Sequence, residues 1–230
     1  MFTYTGYRNI LKYAKEISDI SSFTEPRESS IVLRHDVDII PFNAYSLSRI
    51  EESLGVKSTF FFLVTSDFYN IFSRLNSSIV KKLHQDGFEI GLHYDFEKSF
   101  NFEFCKKALE EIIEDEIKVV SFHNPTDLNT SNIVNGLINA YGKRFFSDEI
   151  YFSDSLMETR DKSPYTMIEK TKQKKIIQFS LHPIYWSEKK LSYFSILQKA
   201  IRSNILDMDM ELTKVPKYQE GKLHAIDSDK

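Results

Sequence analysis

Short apolar runs alternate along the chain with segments whose apolar residues recur at helical spacing. The predicted strands include residues 31–36, 59–64, 88–92, 119–122 and 176–181. The run at 59–64 is apolar on both faces, which is typical of strands in a parallel sheet that helices cover on its faces. The alternation therefore predicts an α/β fold with a parallel sheet, either open or closed into a barrel.

Proline and glycine mark the ends of the predicted helices. Pro41 opens one helix at its first turn, and Gly55 stands just past its end. The pattern is weaker between about 126 and 175, where residues 150–152 and 165–168 are strand candidates. We expect the sheet to continue after this stretch, because a clear apolar run returns near residue 176.

No linker-like stretch or internal repeat divides the 230 residues. We therefore expect one domain over residues 1–206 and a polar, loosely held tail over residues 207–230. The formal charge of −3 gives no support to a nucleic-acid partner. The single cysteine, Cys105, lies in the apolar stripe of a predicted helix and is expected to be buried.

Neither a signal peptide nor a membrane span is evident in the sequence. The first residues lack the apolar core of a signal peptide, and no segment approaches the ~20 apolar residues of a membrane helix. We therefore expect a cytoplasmic protein without membrane insertion. The sequence leaves the oligomeric state open, because no feature marks an interface.

Acidic and imidazole side chains concentrate where the predicted strands end. Asp36 and Asp38 stand two residues apart at the end of the first strand and so share one face of it. His93, His123 and His182 come at the ends of three later strands. Functional residues of parallel α/β folds gather at the carboxyl ends of the strands. These five side chains are therefore expected to share one site.

This set of side chains suits a metal-dependent hydrolase. Two imidazoles and one carboxylate form a common set of zinc ligands that leaves one position open. A second carboxylate can accept a proton, and a third imidazole can act as a general acid. His35 alternates to the opposite face of its strand and is assigned to packing or to support of the site.

Five short motifs follow one another between residues 30 and 186. They are RHDVD at 34–38, STFFF at 58–62, EIGLH at 89–93, SFHNP at 121–125 and LHP at 181–183. In this order they resemble the motifs of the polysaccharide deacetylases, carbohydrate esterase family four, and a divergent branch associated with surface-polysaccharide biosynthesis. The resemblance implies a distorted (β/α) barrel of about seven parallel strands.

The resemblance also implies a reaction, the metal-dependent removal of an acetyl group from a sugar. Asp36 matches the family's general base, and Asp38 matches its metal-binding acid. His93 matches the first metal-binding histidine, and His182 matches the residue that protonates the leaving group. Asp154 is expected to orient His182 and to stabilise its charge, although an ordinary turn acid is an equal alternative.

Two positions depart from the family pattern. Glu97 stands where the family has a second metal-binding histidine, and His123 stands where it has an arginine before a proline. Either His123 completes a ligand set with Asp38 and His93, or Glu97 is the third ligand and His123 contacts substrate. We favour His123, because a carboxylate ligand leaves more negative charge on the metal. A degenerate site that binds no metal is a third alternative.

The implied partners are one divalent ion, zinc, and an acetylated sugar or oligosaccharide precursor, with an N-acetyl group preferred over an O-acetyl group. Trp186, Tyr69 and Tyr94 lie in or near loops that follow strands and are candidates to stack on the sugar. Two other functions stay open. One is a catalytically inactive protein of the same fold that binds a carbohydrate or nucleotide sugar, and the other is a metal-dependent deformylase or amidase.

Overall fold

The computed structural model of the chain describes residues 2–98, 101–125, 130–159 and 161–228, with the backbone alone from residue 223 onward. Contacts divide the chain into two compact units, Met1–Lys190 and Leu191–Lys230. This boundary precedes the last long helix, whereas the boundary expected near residue 206 falls inside that helix.

One curled sheet with flanking helices gives the first unit a mixed α/β fold. Its strands are β1 (Asp19–Ser21), β2 (Ser30–Val37), β3 (Thr59–Leu63), β4 (Glu89–Tyr94), β5 (Val119–Phe122), β6 (Ile133–Val134), β7 (Leu137–Asn139), β8 (Tyr151–Ser153) and β9 (Ile177–Leu181). Its helices are α1 (Tyr4–Ile17), α2 (Pro41–Ser53), α3 (Arg74–Gln85), α4 (Phe102–Ile113) and α5 (Pro164–Glu169).

The second unit contains α6 (Tyr193–Leu212) and α7 (Pro216–Ser228). Ser192 caps α6, and its side chain accepts a hydrogen bond from the backbone N–H of Ser195. Helical structure therefore extends through most of the segment that the sequence predicted to be a loose tail. None of the helices in the described ranges combines the length and the apolarity that crossing a bilayer requires.

The sheet runs in the order β6-β7-β5-β4-β3-β2-β9-β8, and β1 pairs with the first half of β2. Neighbouring strands are parallel except β6 and β7, which are antiparallel. The sheet forms a curled half-barrel that is compatible with the predicted distorted barrel. It is mixed, however, and the described strands outnumber the seven parallel ones that were expected.

Register across the sheet brings the predicted site residues to one end. Asp36 and His93 each lie one residue before the end of their strands, β2 and β4. His93 pairs with Ser121 of β5, and His35 pairs with Leu181 of β9. The three other predicted residues of the site directly follow β2, β5 and β9. Because parallel neighbours end at the same edge, all five converge there.

Most predicted elements are confirmed, and one is wrong. Residues 165–168, a strand candidate, belong to helix α5, where Met167 and Ile168 are buried. A run of four apolar residues cannot separate a period of 2 from one of 3.6. Pro164 at the first turn is the signal that favours a helix there. Helix α1 and the short strands β1, β6 and β7 had no prediction from the sequence.

Strand β3 is buried on both faces, as its apolar run predicted. Phe60 and Phe62 pack with apolar residues of α3 and α4, and Cys105 lies in the same cluster. Phe61 points to the other face, where its ring meets that of Phe23 at a centroid distance of 5.6 Å. Strand β3 therefore contributes side chains to two apolar clusters, one under the helices and one on the other face of the sheet.

Close packing beside β3 makes Gly91 sensitive to the smallest substitution. A Cβ atom at Gly91 would lie 2.5 Å from the Phe61 ring and 2.8 Å from Val119 Cγ2. We expect Gly91→Ala to lower the free energy of unfolding by about 1–3 kcal/mol, because overpacking forces neighbouring side chains to shift. Urea denaturation measures this change. Gly221→Ala, where nothing lies within 4 Å, is the control and should not destabilise the protein.

Candidate metal centre and the groups around it

Three of the predicted residues bring their ligand atoms together at the carboxyl end of the sheet. Asp38, His93 and His123 each offer one atom, and these atoms lie within 4.8 Å of one another. Asp38 Oδ1 is 3.3 Å from His93 Nε2 and 3.6 Å from His123 Nδ1. The two imidazole nitrogens are 3.3 Å apart. One carboxylate oxygen and two nitrogens therefore face a common point.

The bonding of these atoms fits a divalent cation. Asp38 Oδ1 is buried and accepts no hydrogen bond among the described residues, which is costly for a carboxylate oxygen unless a cation binds it. His93 Nδ1 lies 2.6 Å from Ser121 Oγ. If Nδ1–H donates to that hydroxyl, the lone pair of Nε2 faces Asp38, as ligation requires. Two imidazoles with one carboxylate suit zinc.

Electrostatics around Asp38 keep its carboxylate ionised. Burial by itself raises the pKa of Asp38, but the imidazoles of His123, His93 and His182 together outweigh burial and hold that pKa well below its usual range. The Asp38 carboxylate in turn raises the pKa of His123. A cation at this point would therefore meet an ionised carboxylate and two imidazole nitrogens.

Glu97 lies outside this cluster. It is exposed in the short 3₁₀ turn Phe96–Lys98 that follows β4. Its backbone N–H donates to Asp95 Oδ1 at 2.9 Å, which ties the turn to the end of the strand. In the part of the chain that the structure describes, the side chain gathered with Asp38 and His93 is therefore that of His123.

Asp36 is held by an arginine that the sequence analysis did not single out. Arg34 Nε and Nη2 donate to the two oxygens of Asp36, both at 2.7 Å. Arg34 is fully buried, and Asp36 is 4% exposed. Burial raises the pKa of Asp36, but Arg34, His93 and His182 together outweigh burial and keep the pKa below its usual value. Asp36 therefore stays ionised and fixed in orientation.

Arg34 is itself fixed from inside the curled sheet. Its guanidinium lies 4.6 Å from the ring centre of Tyr141 and donates to the Tyr141 hydroxyl at 3.2 Å. It also donates to Gln178 Oε1 of β9 at 3.3 Å. Side-chain alternation was the available signal for this role, because residues 34 and 36 share one face of β2.

His182 and Asp154 form a second buried pair beside the cluster. His182 Nδ1 lies 2.7 Å from Asp154 Oδ1, and the His182 backbone N–H donates to the same oxygen at 2.9 Å. Burial lowers the pKa of His182, but the carboxylates of Asp154, Asp38 and Asp36 together outweigh burial and raise it to about 9. His182 Nε2 is 3.8 Å from Asp38 Oδ2. The imidazole therefore points into the site as predicted.

Trp186, a candidate for sugar stacking, is enclosed by protein. Its side chain is among the largest that are fully buried, with 1% of the residue exposed. The ring packs against Tyr7 of α1 and against Phe2. The indole N–H donates to Asp154 Oδ2 at 2.8 Å. No face of the ring is available to a sugar, so that expectation is corrected.

Tyr69 and Tyr94 are partly buried and make structural contacts at the ends of their strands. The Tyr69 hydroxyl donates to the Val37 carbonyl at 2.8 Å and accepts from the Leu63 N–H at 3.0 Å, so it ties the ends of β2 and β3 together. Tyr94 alternates to the face of β4 opposite His93, and its ring packs on Phe102 of α4. A role for either residue in sugar binding stays a prediction.

His35 lies on the opposite face of β2, as alternation predicted. Its Nε2 is 2.6 Å from Glu51 Oε1, and both side chains are fully buried. Tyr7 and Ser58 donate to the same carboxylate, each at 2.5 Å. The His35 ring stacks on Phe60. This network joins α1, α2 and β2 behind the site, which agrees with a packing role for His35.

Comparison with known proteins gives matches at the level of structure. No family model matches the chain, and no curated protein matches it significantly. A variant of the peptidoglycan deacetylase PdaC from Bacillus subtilis aligns with a TM-score of 0.47 at 13% identity, over 89% of this chain and 96% of the other. A peptidoglycan deacetylase from Bdellovibrio bacteriovorus aligns with a TM-score of 0.46 at 14% identity, over 83% of this chain and 53% of the other.

A pseudoenzyme from Bacillus anthracis is also among the matches. It aligns with a TM-score of 0.42 at 12% identity over 80% of this chain, which spans 63% of the pseudoenzyme's length, slightly less than two thirds. That protein is assigned to carbohydrate esterase family four, the family that the sequence motifs resemble.

Proposed function

We propose that the chain is a metal-dependent hydrolase that removes an acetyl group from a sugar. N-acetyl groups are preferred over O-acetyl groups, and the substrate is an acetylated sugar or oligosaccharide precursor of bacterial surface polysaccharide. Zinc is the proposed ion. The proposal rests on the residues of this chain and on the order of the five motifs, which the sequence shares with polysaccharide deacetylases.

One observation carries the proposal. A fixed carboxylate and a carboxylate-paired imidazole flank the same cluster of potential metal ligands. His93 Nε2 lies 4.0 Å from Asp36 Oδ2, and His182 Nε2 lies 3.8 Å from Asp38 Oδ2. A site that only binds a ligand has no need for both a proton acceptor and a proton donor. Hydrolysis of a sugar amide or sugar ester uses both, because the attacking water loses a proton and the departing amine or alcohol gains one.

Each residue then has a distinct task. Asp38, His93 and His123 would hold the ion, which when bound supplies Lewis-acid polarisation of a carbonyl and activation of water. Asp36 takes a proton from the attacking water, since its ionised carboxylate keeps free lone pairs beyond the two that Arg34 engages. His182 gives a proton from Nε2 to the departing amine or hydroxyl.

The apolar surface for a sugar ring must come from residues other than Trp186. Phe96, in the turn after β4, is 58% exposed. Its ring makes an edge-to-face contact with the ring of Tyr94, at a centroid distance of 5.0 Å. We assign Phe96 the stacking role that was predicted for Trp186, because it also follows a strand end, and we keep Tyr69 and Tyr94 as further candidates.

Metal content and acetate release test the proposal together. We expect about one zinc ion per chain by elemental analysis, as for a site with three protein ligands. Acetate release from a panel of N-acetylated nucleotide sugars should vanish after chelation and return with zinc. Protein that binds zinc and sugar without releasing acetate would instead be the inactive binding protein. Formate release from an N-formyl sugar would indicate a deformylase.

A further inference from the structure

The buried indole of Trp186 completes the hydrogen bonding of Asp154. Asp154 has no exposed surface, so solvent cannot satisfy its carboxylate. Its Oδ1 faces two donors of His182, the backbone N–H and Nδ1, while its Oδ2 accepts from the Trp186 indole. Each oxygen therefore has its own partner, and the plane of the carboxylate is fixed from both sides.

The donors to Asp154 all come from the residues that flank one short turn of the chain. Residues Pro183–Tyr185 form a 3₁₀ turn directly after β9. Within it, the Tyr185 N–H donates to the His182 carbonyl, and the Trp186 N–H donates to the Pro183 carbonyl. The turn places the side chains of His182 and Trp186 on the same carboxylate, although that carboxylate belongs to a different strand end, beyond β8.

The indole is held in place by the N-terminal part of the chain. The Trp186 ring lies 5.1 Å from the ring of Tyr7 and 5.5 Å from that of Phe2. Tyr7 is anchored in turn by its hydroxyl, which donates to the buried Glu51. The orientation of the indole is thus set by packing that does not involve the metal cluster.

We propose that Trp186 is a positioning residue for the acid His182, acting through its hydrogen bond to Asp154. With Oδ2 held by the indole, Oδ1 stays directed at His182 Nδ1, which fixes the tautomer and leaves Nε2 to exchange a proton in the site. The proposal rests on the proposed hydrolase function, because it gives His182 the task of protonating the leaving group.

Trp186→Phe tests this role, since it keeps an aromatic ring against Tyr7 and removes the N–H donor together with the second ring of the indole. Two substrates separate acid catalysis from the other steps. The amine of an N-acetylated sugar must be protonated to leave, whereas the phenolate of 4-nitrophenyl acetate leaves unprotonated. We expect kcat on the sugar to fall roughly tenfold to a hundredfold with KM unchanged, and turnover of the nitrophenyl ester to change little. Phe2→Leu disturbs the same packing without touching Asp154 and should spare both substrates.

Equal losses on both substrates, or no loss on either, would overturn the positioning role. A readout without substrate separates this result from failure of the hydrolase proposal itself. NMR of ¹⁵N-labelled protein should show a downfield proton on His182 Nδ1 that disappears in Asp154→Asn. We expect Trp186→Phe to shift or broaden this resonance and Phe2→Leu to leave it in place. An unchanged resonance in Trp186→Phe would refute the proposal even if the wild-type protein hydrolyses neither substrate.

Discussion

Replacing Asp36 by asparagine should lower the rate of acetate release by roughly 10²- to 10⁴-fold, the range that a general base contributes. Asparagine preserves the size of the side chain and removes the charge that attracts a proton. Zinc should stay bound, because Asp36 is not one of the three clustered ligands. Initial-rate measurements and elemental analysis on the same preparation check both parts of this expectation.

The ion pair with Arg34 means that Asp36→Asn should also change the stability of the protein. Arg34 is fully buried, so Asp36→Asn leaves its charge without a partner, and removal of one member of a buried pair costs about 3–5 kcal/mol. Arg34→Met alone should be destabilised to a similar extent, because it leaves the Asp36 carboxylate buried and unpaired. Urea denaturation of both variants measures these losses.

The double variant Arg34→Met/Asp36→Asn separates stability from catalysis. It contains no buried charge at either position, so most of the lost stability should return. Activity should not return, since no carboxylate is left to accept the proton. A folded, zinc-loaded double variant with wild-type kcat would exclude Asp36 as the base and would leave the ion pair with a purely structural role.

The strand ends were the part of the site most accessible from sequence. Asp38, His93 and His123 each stand at the end of an apolar run, and parallel strands must end at one edge of their sheet. Proximity of the three therefore follows from topology before any side chain is placed. His182 follows from the same argument. Arg34 was also within reach, because strict alternation puts it on the face of Asp36.

The roles of the aromatic residues could not be obtained in this way. Trp186 lies near a strand end, like the ligands, but it is buried and therefore cannot stack on a sugar. Burial of Trp186 depends on Phe2 and Tyr7, which are about 180 residues away in sequence, and helix α1 itself had no prediction. The local sequence pattern predicts whether a residue lies in a strand or a loop. It does not predict burial of that residue when the neighbours that cover it come from distant parts of the chain.

His123→Ala should lose zinc, and Glu97→Ala should retain it. His123 Nδ1 faces both other candidate ligands, whereas Glu97 is exposed outside the cluster. Loss of a direct ligand should weaken zinc binding by more than the roughly 10- to 100-fold that removal of a supporting hydrogen bond costs. Calorimetric titration of the metal-free protein with zinc measures each affinity.

Ser121→Ala provides the graded control for this comparison. It removes the hydroxyl beside His93 Nδ1 and leaves all three ligands in place. Its affinity for zinc should therefore fall by roughly 10- to 100-fold, to a value between those of the other two variants. The order Glu97→Ala, Ser121→Ala, His123→Ala, from tightest to weakest, is the expected result. Zinc retained in His123→Ala and lost in Glu97→Ala would make the carboxylate the third ligand. The exposed turn after β4 would then have to fold inward for Glu97 to reach the ion, and His123 would be free to contact the substrate.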